Sequence, residues 1–90
     1  MDFCLTRREG GNMGYYVPMD KAQETSEFVE YLYGHDQRTR GILRLDKLNG
    51  EVSDVRPLLH PDAPNYFIRA KMRARKLWHE RQYPEQTCWA

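Results

Sequence analysis

The chain has 90 residues, with 14 Lys and Arg against 13 Asp and Glu, and a formal net charge of +1. That length supports one small domain spanning 1–90 with a thin core, and the mixed charge together with two Trp, six Tyr and three Phe excludes a charged disordered tail. No run of about 18 apolar residues exists, which excludes a helical membrane span.

The opening Met1-Asp2-Phe3-Cys4-Leu5-Thr6-Arg7-Arg8 lacks the basic-then-apolar order of a secretory signal, so a cytoplasmic chain is expected. Cys4 and Cys88 sit near the two ends. Small secreted domains usually carry more cysteines, so free thiols are expected rather than a terminal disulfide. Gly10-Gly11-Asn12-Met13-Gly14 reads as a break that leaves residues 1–14 as a flexible arm, with Phe3-Cys4-Leu5 as a short strand or unordered. Tyr15-Tyr16-Val17 reads as a short strand stopped by Pro18.

Residues 20–33 predict a first helix. Asp20 suits an N-cap, Gln23 completes a capping box, and Gly34 suits a left-handed stop. At 100° per residue, Ala22, Thr25, Phe28, Val29, Leu32 and Tyr33 share one side, opposite Glu24, Glu27, Glu30 and Tyr31. A polar connection over 35–41 leads to a hairpin with strands near 42–46 and 51–56, signalled by Asn49-Gly50, and with a bulge to reconcile its register. Three prolines between 57 and 64 exclude a helix there. A second helix follows over 65–81, with Tyr66, Phe67, Ala70, Ala74, Leu77 and Trp78 as its core face, and Pro84 closes it. The tail, 85–90, carries Trp89 as an apolar residue to be docked. The expected fold is therefore α+β, in the order β-α-β-β-α, with two amphipathic helices on a small antiparallel sheet.

The near-zero net charge hides a division between the two helices. Residues 69–81 hold Arg69, Lys71, Arg73, Arg75, Lys76 and Arg81 against Glu80; residues 20–36 hold five acids against Lys21. Three readings of the basic helix compete: a solvated face partly neutralised by the acidic helix, a polyanion-binding helix, or a docking face for an acidic protein. Ile68 and Met72 fall inside the basic arc, with His79 on the same side. They are either covered, by Trp89 or the N-terminal arm, or left for a partner, since Met and Arg are enriched at interface centres.

The leading expectation is a small non-enzymatic interaction or regulatory module that binds a protein or a second copy through Ile68, Arg69, Met72, Arg73, Arg75, Lys76 and His79. Nucleic-acid binding by the same helix, aided by Arg38, Arg40 and Arg44, is the alternative, although zinc-finger, aromatic RNA-binding and helix-turn-helix patterns are missing. His35-Asp36, His60-Pro61-Asp62 and His79-Glu80 pair histidines with acids, yet no nucleophile elbow, P-loop, HExxH or CxxC occurs. No catalytic residue, cofactor or metal ligand is expected, nor a small-molecule substrate or a membrane partner.

Overall fold

The computed structural model describes residues 16–89; the proposed arm, the strand at Phe3-Cys4-Leu5, Tyr15 and Ala90 lie outside them. The described chain is α+β. It forms β1 (Val17–Glu24), β2 (Phe28–Tyr33), β3 (Gly41–Asp46), β4 (Val52–Arg56), α1 (Ala63–Glu80) and β5 (Gln86–Trp89). The sheet is antiparallel with the order β4-β3-β2-β1-β5. Four strands run as a meander, and α1 carries the chain from one edge back to the other. At 1.5 Å per residue an 18-residue helix is about 27 Å long, enough to cross five strands about 4.8 Å apart.

The helix expected over 20–33 is instead the β1–β2 hairpin, so the described chain has one helix and not two. Phe28-Val29-Glu30-Tyr31-Leu32-Tyr33 is rich in aromatic and β-branched side chains, which suit a pleated surface better than a helix. The turn is made by Thr25, whose Oγ1 accepts the N–H groups of Glu27 and Phe28, both at 3.1 Å. The two supposed cap residues are employed elsewhere. Asp20 pairs with Arg40 at 2.8 Å, and Gln23 donates across the hairpin to Glu30 at 3.1 Å.

A period of two then decides which side chains are buried. Val17, Met19, Val29, Tyr31, Tyr33, Leu43 and Leu45 line the face under α1 and pack on Ala70, Ala74 and Leu77. Tyr31, expected on a solvated acidic face, is therefore fully buried, and its hydroxyl donates to the Pro84 carbonyl. Burial, with Glu24 and Glu85 nearby, pushes its phenol well above the ordinary tyrosine value. Tyr33 is raised in the same way by burial and by the bond it donates to Asp54 Oδ1 at 3.0 Å.

Pro18 does not stop β1, because the N–H it lacks would have faced only Gly34, past the end of β2. Its carbonyl accepts from Gly34 N at 3.1 Å, so its nitrogen faces the same side, just past the end of β2. The tail docks as a strand: β5 pairs Val17 with Trp89 and Met19 with Thr87. Cys88 is disulfide-bonded, contrary to the expectation of free thiols, which rested on compartment and cysteine count and not on geometry. The other cysteine, Cys4, lies outside the described residues. No helix of the described residues is long and apolar enough to cross a membrane.

The β3–β4 hairpin holds the far end of α1. Gly50 has φ 79°, and the Trp78 ring lies over it so closely that a Cβ would meet ring atoms at 2.7 Å. Trp78 Nε1 donates to the Lys47 carbonyl at 2.9 Å. The helix then ends at Arg81 in the left-handed region, φ 58°, with Gln82 N donating to Leu77 O. Gly50→Val should therefore lose more stability than the roughly 1–3 kcal/mol of backbone strain alone, because the new side chain also displaces Trp78. Urea unfolding followed by tryptophan fluorescence measures it. An unchanged midpoint would contradict the seating of α1 on this turn.

Candidate functional site

Most of the cations on the sheet have an acid beside them, and Arg56 of β4 donates to the Arg40 carbonyl instead. Arg44 pairs with Glu30 at 2.7 Å and stacks on Phe28 at 4.0 Å, and Arg40 pairs with Asp20. Lys21 and Lys47 both reach Glu24 at 2.6 Å and hold its carboxyl below the usual range. None of the acids between 20 and 36 forms an ion pair with α1, so the expected neutralisation of the basic helix by an acidic one does not occur in these pairs.

Arg40 and Arg44 lie on the sheet face away from α1. Leu43 and Leu45 point into the core and Arg44 to the opposite side, as Asp20 does beside Met19. Arg38 is exposed in the β2–β3 connection, where its N–H is held by Asp36 Oδ1. Arg40 and Arg44 therefore do not extend the basic face of the helix.

On α1 the seven candidate side chains divide into two groups. Arg73 Nε donates to Thr87 Oγ1 at 2.7 Å, and Arg69 lies 5.2 Å from the Trp89 ring centre. These two face the β5 edge and hold the tail strand. Ile68, Met72, Arg75, Lys76 and His79 are all exposed, with Ile68 at 51% and Met72 at 55%. At 100° per residue the five span an arc of about 100°, opposite Ala70, Ala74 and Leu77. Trp89, one of the expected covers for Ile68 and Met72, is engaged by Arg69 instead. Lys71 was outside the candidate set, yet it sits on the margin of this face, half-buried. Its position three residues after Ile68 and four before Arg75 is the signal that places it there. Lys71, Arg75 and Lys76 form no ion pair among the described residues.

His35 and His60 both lie against the Tyr66 ring, at 5.9 and 4.9 Å between ring centres, and His79 lies apart from them. His60 Nδ1 accepts the Asp62 N–H at 2.9 Å, His35 lies against Tyr16 and Tyr66, and His79 lies 5.1 Å from Trp78. Among the described residues, no three His, Cys, Asp or Glu side chains gather closely enough to hold a metal ion. Comparison of the chain with protein-family models, with curated proteins and with solved structures gives no match.

The two sets of cations should respond differently to removal. Arg44→Ala leaves the largely buried Glu30 carboxylate without its cation, and a loss of about 1–3 kcal/mol is expected. Lys76→Ala on the exposed face should stay within about 0.5 kcal/mol of the parent chain. Urea unfolding of both variants checks the contrast, and equal losses would contradict it.

Proposed function

We propose that the protein is a small interaction or regulatory module without catalytic activity, whose outer α1 face docks a protein partner. One observation carries this reading. Whereas Arg40 and Arg44 on the sheet are each matched to an acid, Lys71, Arg75 and Lys76 form no ion pair among the described residues and surround Ile68 and Met72, the two most exposed large apolar residues of the helix. Apolar centres with charged rims are the usual anatomy of protein interfaces. Arg69 and Arg73 serve this face indirectly, by fixing the strand beside the helix.

Direct nucleic-acid binding gains less support. Of its three extra arginines, Arg40 and Arg44 are paired with acids on the opposite face of the sheet, Arg38 lies in the β2–β3 connection, and the cations of the outer α1 face flank an apolar centre. Phosphate recognition requires cations free to replace condensed counterions.

The test is retention of proteins on the immobilised chain, with and without nuclease, compared with Arg75→Glu/Lys76→Glu. A defined protein that survives nuclease and is lost from the charge-reversed variant is the expected result. Retention abolished by nuclease, with a salt slope near −0.9 per phosphate contact on duplex DNA, would contradict it.

A further inference from the structure

From the arrangement of charge about the α1 stripe, and resting on the docking face proposed above, we infer that its partner is an acidic amphipathic helix, and not a second copy of this chain. The stripe from Ile68 to His79 is about 16 Å long at 1.5 Å per residue, which is three helical turns. Ile68, Met72 and His79 form its spine, within an arc of about 40°. Lys71 and Arg75 lie on one side of that spine, and Lys76 lies on the other with Arg69 beyond it. Glu80 is the sole acid of the helix, at the margin of the arc.

A second copy docking through this stripe would do so about a twofold axis, with the same residues on both sides. The Lys71, Arg75 and Lys76 rim of one copy would then be brought against the same rim of the other, and like charges across an interface are strongly unfavourable. An anionic partner removes that conflict. Phosphates alone would leave Ile68 and Met72 in water, since a backbone that tracks the cations offers the spine nothing apolar. The partner must therefore carry apolar residues flanked by carboxylates. A helix supplies both. Apolar residues at i, i+3 and i+4 run along one line, with Asp or Glu on either side, and helix-in-groove recognition reads such anchors. Three turns make a small interface, so the expected affinity is micromolar and the complex short-lived.

The test is a fluorescence-anisotropy titration with a labelled peptide of Leu, Ala and Glu whose leucines follow the i, i+3, i+4 pattern. Its comparators are a scrambled peptide of the same composition, the same pattern with Lys for Glu, labelled duplex DNA, and phosphatidylserine vesicles. Binding in the micromolar range is expected, at least about tenfold tighter than to the scrambled peptide. It should weaken severalfold between about 50 and 200 mM salt and be lost in Ile68→Ser/Met72→Ser, whose folding is checked by circular dichroism. Equal binding of the scrambled peptide, tighter binding of DNA or vesicles, or no peptide binding would each overturn the inference. Self-association that depends on Ile68 and Met72, without peptide binding, would overturn it too, yet leave the docking face itself standing.

Discussion

Ala70, Ala74 and Leu77, seated on Tyr31, Tyr33, Leu43 and Leu45, hold the molecule together. A sheet of five strands must cover its apolar face, and in the described chain one helix does this with Leu58 and Tyr83 from the segments that flank it. Two alanines bring the helix backbone close to the buried tyrosines, while Tyr66, Phe67 and Trp78 widen the contact at its margins. Each large apolar side chain buried here contributes about 1.5–3 kcal/mol, set against the cost of ordering the chain. The same contact fixes the rotation of α1 about its own axis. With Ala70 and Ala74 inward, Ile68, Met72 and His79 point away from the sheet.

Polar contacts tie that helix to the sheet at its middle and at its C-terminal end. Trp78 rests on Gly50 and donates to Lys47, while Arg73 donates to Thr87. Arg81 adopts a left-handed conformation that glycine usually supplies, and its guanidinium lies 5.0 Å from the Trp78 ring centre. Four cations on and beside the sheet are consumed in local pairs: Arg40 with Asp20, Arg44 with Glu30, and Lys21 and Lys47 with Glu24, while Arg56 donates to the Arg40 carbonyl. Charge distribution therefore separates fold from surface. Arg40, Arg44, Lys21 and Lys47 have acids beside them, and among the described residues Lys71, Arg75 and Lys76 on α1 do not.

The sequence was legible wherever one local signal dominated. Asn49-Gly50 marked the β3–β4 hairpin, and the spacing of Ala70, Ala74 and Leu77 marked α1 and its inner face. The reading failed between 20 and 33, where six apolar or small side chains happened to match a helical period. Only Thr25 and its turn bonds divide that stretch into two strands, and an ST turn has little signature beyond one hydroxyl. Misreading that stretch put Tyr31 on the surface and invented an acidic helix opposite the basic one. Strand β5 was missed because four residues are too few to show a period. Of the candidate site, exposure of Ile68 and Met72 followed from helical geometry. The diversion of Arg69 and Arg73 to β5 depends on a strand the sequence did not reveal.

The account turns on whether the outer stripe of α1 is dispensable to the fold. Equilibrium urea unfolding of Ile68→Ser/Met72→Ser beside Leu77→Ala measures this most directly. The stripe variant should remain within about 0.5 kcal/mol of the parent chain per site, whereas Leu77→Ala should lose about 2–5 kcal/mol. A stripe variant that loses as much as Leu77→Ala would place Ile68 and Met72 in the core and leave α1 with no face to offer a partner.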